Sequence, residues 1–486
     1  MSSPAPPMLL DLAAHRLLSS EPSAPAALQE FTVDLFPALL TAAFSMGHKE
    51  ALKALVQAWP FPVLRLGSLI AQWPSQDSLQ AVLDGLGDLS SHKACPRRSS
   101  LRVLDLTLAF EQVQGREPSE ALSRFPFWFP CTVKAETPQD VARPRPVEDS
   151  TEEPLGSWEP VELHVDLFLR GPFQSDAFLS TLLAKVEQSQ GSLRVCCKKL
   201  HIEEMPSDSH GGTLQILELD SIQELEVFDW FQALAEHSLF ASQLGRIRNL
   251  RSLKLAYYHW AFPLEGGLSS DHILSQLGQL HHLQRLHLSY SYLSGNLHQV
   301  LSCLQNPLHT LEICSCTLVE SDVTFLAQSV HTTRLKKLDL SGNNLSYMVP
   351  GPLEALLRAV AGTLQHLNLT HCWLKDTHLH ALLPTLCRCA HLSSLDLSDN
   401  PFSQAGLVDL LEHTATLVAL KQVLYPVPVE CCPYLHGLSR GPVDGRKLCQ
   451  VQTELQALLQ ALRRPDMQWS SPPPLSPSPG TLVQPE

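Results

Sequence analysis

The sequence of 486 residues lacks the features that identify membrane and secreted proteins. No apolar run approaches the roughly 20 residues that a membrane-spanning helix needs. The N-terminal segment MSSPAPPMLLDLAAHRLL has no basic region before its apolar residues, and it carries Asp11 and His15 among them. This pattern argues against a signal peptide. We therefore expect a cytoplasmic protein, with the nucleus as a second expected compartment, and no membrane partner.

An excess of positive charge is also missing, as are the common phosphate-binding and catalytic motifs. The chain has 35 Lys and Arg against 49 Asp and Glu, so its formal net charge is −14. Because nucleic-acid backbones bind to basic surfaces, we expect no direct nucleic-acid partner. No Walker-type loop, no G-x-G-x-x-G and no G-x-S-x-G occurs. We therefore expect neither an enzyme nor a cofactor-binding protein.

Cysteine is present in an odd number, 13, which favours reduced thiols in a chain without a secretion signal. Zinc sites usually combine two C-x₂₋₄-C pairs, and the spacings here are shorter. We therefore expect structural cysteines and no bound metal. The close pairs are Cys196-Cys197, Cys314-x-Cys316, Cys387-x-Cys389 and Cys431-Cys432.

What the sequence does have is internal repetition. Residues 335–345 (LKKLDLSGNNL), 364–374 (LQHLNLTHCWL) and 392–402 (LSSLDLSDNPF) match L-x-x-L-x-L-x-x-N/C-x-L, with Phe402 closing the third. LHTLEICSCTL (308–318) also fits, and three upstream segments are less regular copies. The leucine at the fourth position marks seven repeats 25 to 33 residues apart, at Leu225, Leu253, Leu286, Leu311, Leu338, Leu367 and Leu395.

The repeat predicts the fold. Alternating L-x-L forms a short strand with one face inward, and the following Asn or Cys turns the chain and bonds to neighbouring backbone. Helical segments such as 379–389 lie between the strands. Since no unit buries its apolar face alone, the units stack. We predict an α/β leucine-rich-repeat solenoid, a ribonuclease-inhibitor-like horseshoe with a concave parallel sheet and an N-terminal helical cap.

The remaining composition predicts five segments. A helical region is followed by divergent repeats with strands at 100–108, 161–169 and 192–202, which contain a loop rich in proline and carboxylates. Regular repeats, a capping segment with an amphipathic helix at 451–462, and a Pro/Ser-rich disordered tail complete the chain. The predicted bounds are 1–100, 101–220 with the loop at 131–160, 221–430, 431–469 and 470–486.

The concave face offers the first candidate binding surface. One residue per strand, between the inward leucines, forms a column that is mostly acidic. An ordinary hydrated sheet is the simpler interpretation for any single residue, but solenoids use such sheets to hold proteins. We expect an unidentified protein target here, and we expect reversal of Glu312, Asp339 and Asp396 to weaken binding without changing stability. The column comprises Glu226, Lys254, His287, Glu312, Asp339, Asn368 and Asp396.

Two N-terminal apolar stripes offer the second candidate surface. Pro37 suits the first turn of a helix, where Asp34 or a neighbour can supply the cap. Phe36, Leu40 and Phe44 then share one face of that helix. An earlier helix has the same spacing at Leu9, Ala13 and Leu17. Physical pattern alone favours both stripes as caps of the first repeat.

Blocks along almost the whole chain resemble the PRAME family (preferentially expressed antigen in melanoma). They include LFPALLTAAF, QAWPF, LQAVLDGL, SLRVLDLT, VELHVDLFL, LRVCCKKL, the repeats and VLYPVPVE. The resemblance implies a leucine-rich horseshoe without enzymatic activity that serves as substrate receptor of cullin-2 RING ubiquitin ligases. It also implies negative regulation of transcription, differentiation and apoptosis, and positive regulation of proliferation. The family's Cys-rich C-terminal end is replaced here by SSPPPLSPSPGTLVQPE.

The resemblance assigns roles to the two N-terminal stripes. Leu9, Ala13 and Leu17 resemble a BC box, the segment that docks Elongin B/C through Elongin C, but Ala13 stands where the pattern prefers Cys. Phe36-Pro37-x-x-Leu40-x-x-x-Phe44 fits the cullin-box pattern at every position. If this stripe contacts cullin-2, its side chains must be at least partly exposed.

Two other functions stay open beside the adaptor. One is a plain leucine-rich-repeat scaffold or transcriptional corepressor without a ligase, in which the N-terminal helices only cap the solenoid. The other is an enzyme, which would need acid, base or nucleophile groups assembled in one cleft. The repeat pattern leaves no insertion that could supply such a cleft.

Overall fold

The computed structural model describes the greater part of the chain in two compact units, residues 1–225 and 226–486. Of the predicted acidic loop and tail, only residues 160 and 470 are described. Among the described residues, no helix combines the length and apolar character that crossing a bilayer requires. The described residues are 9–19, 31–73, 75–91, 100–107, 160–169, 177–189, 191–202, 216–228, 240–258, 260, 271–432, 434–435, 439–440 and 443–470.

Helices dominate the start of the first unit. As predicted, Pro37 lies in the first turn of α2, where its missing N–H leaves no bond unmade. The predicted side-chain cap is wrong, because α2 follows directly on a 3-10 turn and Leu35 makes no capping bond. The helices are α1 (Leu9–Ser19), α2 (Phe36–Met46), α3 (Lys49–Gln57), α4 (Gly67–Gln72), α5 (Gln76–Ser91) and α6 (Ala177–Gln188).

A glycine sets the close packing of α3 against α5. A Cβ atom at Gly85 on α5 would lie 2.9 Å from the carbonyl oxygen of Lys53 and 3.3 Å from Cβ of Val56 on α3. Any larger residue would push the two helices apart. Leu52 and Leu55 on α3 are fully buried, so this close contact completes the apolar core of the helical region.

Parallel strands follow the helices in the first unit. Each strand pairs with the next in chain order. The strands predicted at 100–108, 161–169 and 192–202 are confirmed, whereas the first strand has no counterpart in the sequence prediction. The strands are β1 (Val63–Arg65), β2 (Val103–Asp105), β3 (Val161–Leu169) and β4 (Leu193–Ile202).

The second unit has the predicted fold, an α/β leucine-rich-repeat solenoid with parallel strands in chain order. The division between the units falls within β5 (Glu224–Phe228). The further strands are β6 (Ser252–Ala256), β7 (Arg285–Ser289), β8 (Thr310–Cys314), β9 (Lys337–Asp339), β10 (His366–Asn368), β11 (Ser394–Asp396) and β12 (Gln422–Leu424). The helices are α7 (Asp271–Leu277), α8 (Leu297–Ser302), α9 (Glu320–Gln328), α10 (Pro350–Val360), α11 (Asp376–Leu386) and α12 (Gln404–Thr414).

The predicted register is confirmed. The fourth-position leucines lie beside one another on neighbouring strands, so that Leu338 pairs with Leu367 and Leu367 with Leu395. All three are at most 2% exposed. Each repeat therefore adds one leucine to a continuous buried row, and loss of one leaves a cavity between two layers.

The Asn and Cys of the repeats have the predicted backbone role. Asn343 Nδ2 donates to the carbonyl oxygens of Ile313 (2.7 Å) and Leu340 (2.8 Å), while its Oδ1 accepts from the N–H of Cys316 (2.9 Å). The thiol of Cys372 donates to Leu340 O at 3.2 Å. These side chains replace backbone bonds that a tight turn between strand and helix leaves unmade.

The end of the chain caps the last repeat. The predicted amphipathic helix is α13 (Gly445–Ala461); it begins six residues earlier than predicted because Asp444 caps it by accepting from two backbone N–H groups. Val451, Leu455 and Leu459 are its buried face. A further strand, β15 (Gln468–Ser470), pairs in parallel with β12. A two-stranded hairpin, β13 (Tyr434–Leu435) and β14 (Ser439–Arg440), precedes the helix.

Candidate functional site

The predicted concave-face residues of the second unit form the column that the repeat implies. From Lys254 to Asp396, the sheet register places each of them beside the next. Most are half-buried, and Asp339 is buried at 8% exposure. Glu226 lies on β5, and the ammonium of Lys254 sits 5.1 Å from the ring centre of Phe228 on that strand. Much of the side-chain surface of the column is thus already covered by neighbouring residues of the same sheet.

The centre of the column is a charge cluster. Glu312 Oε2 lies 2.5 Å from His287 Nδ1, and its Oε1 lies 2.5 Å from Lys337 Nζ. The hydrogen bond from His287, helped by Lys337, overcomes the effect of burial and lowers the pKa of Glu312 to about 2. The carboxylate is therefore ionised and paired throughout the physiological range, so it contributes to the stability of the sheet as well as to its surface.

The two aspartates of the column also have internal roles. Asp339 Oδ1 accepts from Ser341 N at 2.9 Å, and Asp396 Oδ1 accepts from Ser398 N at 3.0 Å. Asn368 Nδ2 donates to Asp339 Oδ2 at 2.8 Å. These bonds hold the turn that follows each strand. The sequence predicts that reversing these aspartates to lysine moves the thermal midpoint little. The structure favours a loss of stability instead, because each reversal removes a turn bond and adds a buried or half-buried cation.

Sequence reasoning missed a second surface, at the edge where the strands end. In the six repeats from residue 250 onward, the eighth residue has a left-handed backbone, although only one of the six is glycine. A side chain in this conformation costs about 1–2 kcal/mol per residue, and such strain often marks functional segments. The φ values are 57° for Tyr257, 52° for Tyr290, 54° for Ser315, 73° for Gly342, 56° for His371 and 57° for Asp399.

Aromatic side chains occur in the segments that follow several of these strands. The rings of Tyr257 and Tyr290 stack with centroids 4.7 Å apart and an interplanar angle of 7°. Tyr292 is 71% exposed, Tyr347 89% and Trp373 44%. We call these five residues the aromatic rim, and all of them except the half-buried Tyr257 are exposed. Tyr and Trp are enriched in protein interfaces, and neighbouring exposed aromatic groups mark interaction sites. The signal in the sequence was the aromatic character of the eighth and tenth repeat positions, which hold four of these residues; Tyr347 lies at the thirteenth.

The stripe on α2 is not exposed. Phe36 and Phe44 are each 2% exposed and Leu40 is 3% exposed. The ring of Phe36 packs edge-on against Trp59, with centroids 6.1 Å apart. The prediction of partial exposure is therefore wrong. The physical reason is that the stripe belongs to the apolar face of α2, which packs into the core with Leu39, Ala42 and Ala43 buried beside it. The other face, with Pro37, Thr41 and Ser45, keeps partial exposure.

The N-terminal end of α2 is accessible and borders a groove. Pro37 is exposed and, with Leu40, lines a groove of about 370 Å³. Trp59 closes the groove on one side, and its indole N–H donates to Val63 O at 3.1 Å, which ties it to β1. Arg65 supplies a cation at the rim of the groove. Of the predicted cullin-box residues, Pro37 is therefore exposed to a partner, whereas Leu40 can be reached only as part of the lining of this groove.

The face predicted on α1 is partly exposed. Ala13 is exposed, Leu17 is 39% exposed and Leu12 is 53% exposed. Ala14, one position round the helix, is buried at 4% exposure on the side that packs on α2. The side chain of Leu9 lies outside the described residues. The helix thus presents apolar side chains to solvent on the face that carries the BC-box pattern.

Solved structures of other repeat proteins resemble the chain only loosely. The yeast Rad7–Elc1 complex has a chain 18% identical to this one at a TM-score of 0.33; the match covers 48% of this chain and 56% of that one. An internalin of Listeria monocytogenes is 14% identical at a TM-score of 0.29, covering 55% and 81% of the two chains.

Proteins of known sequence match this chain over almost its whole length. Human PRAME family member 20 is 37% identical over 471 residues, which covers 96% of this chain and 94% of that protein. Leucine-rich repeat-containing protein 14 of Mus musculus is 35% identical over 493 residues, covering 95% and 97%. Neither carries an enzyme name. The models of the PRAME N-terminal domain and the PRAME C-terminal domain match residues 6–113 and 161–473. The chain therefore belongs to the PRAME family.

Proposed function

We propose that this protein is a non-catalytic adaptor that holds a target protein on its second unit and joins it to a cullin-2 RING ubiquitin ligase. The observation that carries the proposal is the presence of two separate exposed apolar surfaces, α1 in the first unit and the aromatic rim in the second. An adaptor needs two such surfaces, whereas a simple inhibitor needs one. Membership of the PRAME family supports the same function.

Elongin B/C docks on α1 in this proposal. Leu12 and Leu17 are 53% and 39% exposed on a short helix. Burying the remaining apolar surface of each in a partner groove is worth roughly half of the about 1.5–3 kcal/mol that complete burial of such a side chain gives. A helix laid into an apolar groove is a common mode of recognition. Ala13 between them is small, so it allows close approach of the helix backbone to the partner.

Cullin-2 contacts the groove beside Pro37 rather than the buried stripe of α2. The groove offers the ring of Pro37, the indole of Trp59 and the cation of Arg65 within one concave surface. The protein acts in the cytoplasm and nucleus, and removal of its target accounts for the negative effects on transcription, differentiation and apoptosis and the positive effect on proliferation that the family resemblance implies.

A second candidate is a protein-binding scaffold or corepressor without a ligase. The burial of Phe36, Leu40 and Phe44 favours it, because these residues then serve the core of the first unit. In that case α1 is a cap on α2, and the aromatic rim is the sole surface with a partner.

Co-purification with Elongin B/C and cullin-2 separates the two candidates. The double variant Leu12→Ser, Leu17→Ser should lose Elongin C, since it places two hydroxyls in an apolar interface. Val418→Ser in the second unit is the control, because Val418 is 78% exposed and distant in sequence. Wild-type protein that captures neither partner, or a double variant that binds as well as the control, would leave the scaffold as the function.

A further inference from the structure

Three potential metal ligands meet on the sheet of the first unit. Glu162 and His164 lie two residues apart on β3 and therefore point to the same face of the sheet. The register places His164 directly beside Cys196 on β4. One ligand atom from each of the three lies within 4.8 Å of the others, and Glu162 Oε2 is 2.8 Å from His164 Nε2.

The donor set matches zinc. Thiolate, imidazole and carboxylate are its three protein ligands, at bond lengths of about 2.0–2.3 Å. Tetrahedral geometry then separates the ligand atoms by about 3.3–3.6 Å. Glu162 Oε2 and His164 Nε2 are closer than that, at 2.8 Å, and no pair in the set is more than 4.8 Å apart. The side chains of Glu162 and His164 are 47% and 23% exposed, so neither is locked in the core.

The local field also favours a cation. Asp105 on β2 lies beside His164 in the register, and Glu218 lies near Cys196. Burial, then Glu162 and Glu218, raise the pKa of the Cys196 thiol to about 11, against the opposing effect of the cations Arg194 and Lys198. Carboxylates that make a thiolate unfavourable make a divalent cation favourable at the same place, because the cation neutralises both the thiolate and the carboxylates.

The other sheet cysteines differ from Cys196. Cys316 and Cys372 are fully buried, and their thiols donate to backbone carbonyl oxygens of the repeats. Cys314 lies half-buried on β8, and within the described residues no group of three potential ligands includes it. These bonds confirm the structural role predicted for Cys316 and Cys372. They do not bear on Cys196.

We infer that Glu162, His164 and Cys196 form a zinc-binding site on the sheet of the first unit, with a fourth position open to water. This departs from the absence of metal expected from the sequence. The C-x₂₋₄-C rule could not find the site, because its ligands come from two strands and only the sheet register brings them together. The site is independent of the proposed adaptor function.

Cobalt substitution tests the site directly. Full-length protein treated with a chelator is titrated with Co²⁺, and wild type should bind one ion with a thiolate-to-cobalt charge-transfer band that Zn²⁺ abolishes. Cys196→Ser should lose the band, and His164→Gln or Glu162→Gln should weaken binding at least tenfold. Cys314→Ser and Cys449→Ser are controls that keep it; Cys449 is the exposed cysteine of α13.

A further measurement keeps the inference falsifiable if a variant folds poorly. Zn²⁺ should raise the unfolding midpoint of wild type but not of Cys196→Ser, since a ligand stabilises the state that binds it. A missing band in wild type overturns the inference. So does a band that survives in Cys196→Ser or disappears in Cys449→Ser, which would indicate an adventitious ion only.

Discussion

Arg464 closes the last repeat, and its replacement should destabilise the second unit strongly. The side chain is 8% exposed. Its guanidinium donates to the carbonyl oxygens of Ala415 (2.6 Å), Leu417 (2.9 Å) and Leu420 (2.7 Å), the segment after α12. Arg464→Ala leaves three acceptors without this donor. Each buried unmade bond costs about 1–3 kcal/mol, and water entering the gap recovers part of it. We expect a net loss of about 3–5 kcal/mol in the free energy of unfolding.

Urea unfolding followed by circular dichroism measures this loss. The matched control is Lys421→Ala, because Lys421 Nζ pairs with Asp466 Oδ2 at 2.6 Å while its side chain is 56% exposed. Arg464 Nε contacts the same Asp466 at 3.0 Å. If the bonds to the carbonyl oxygens contribute most, Lys421→Ala should change the free energy of unfolding little. The loss for Arg464→Lys should then lie between those for Lys421→Ala and Arg464→Ala. Equal losses for Arg464→Ala and Lys421→Ala would refute the reasoning, since the shared ion pair would then account for both.

Three other predictions test the core, the polar column and the rim. Stability should fall as pH drops from about 4.5 towards about 2, because the lowered pKa of Glu312 means that only its ionised form stabilises the fold. In unfolding experiments at a series of pH values, Glu312→Gln should remove about 1–2 kcal/mol of this loss, a figure reduced for the partial exposure of the side chain. Gly85→Ala should cost about 1–3 kcal/mol in urea unfolding by forcing α3 and α5 apart, whereas Gly87→Ala, whose nearest neighbour would be 3.8 Å away, should not destabilise. Tyr292→Ser with Tyr347→Ser should reduce recovery of target proteins in crosslinking pulldowns while leaving the thermal midpoint unchanged; unchanged recovery would place the target elsewhere.

The repeat fold was predictable because its signal is local and recurs. Each copy of the motif places leucines, a turn residue and a helix at the same offsets. A departure from the motif in one copy therefore does not hide the pattern that the other copies share. Leu367 is buried between Leu338 and Leu395 as the spacing required. The roles of Asn343 and Cys372 followed for the same reason, since a buried polar group at a turn has few partners besides the backbone.

The surfaces were less predictable because exposure depends on what packs against a residue. An i, i+4, i+8 stripe gives the same pattern whether it faces a partner or the core. Phe36, Leu40 and Phe44 fit a docking pattern at every position and are nevertheless buried. The opposite side of α2, with Ala38, Thr41 and Ser45, is half-buried and carries the polar side chains of the helix. The helix therefore turns its apolar stripe towards the core, as amphipathic helices of globular proteins usually do.

Exposure explains why Ala13 and Leu17 remain a candidate face while the stripe of α2 does not; the side chain of Leu9 lies outside the described residues. Within residues 12–18 of α1 the buried residue is Ala14, and Arg16 lies on the exposed surface beside Leu17. Within residues 12–18, Leu12 and Leu17 keep apolar surface that is available to a partner. α1 is therefore the element on which the ligase proposal depends.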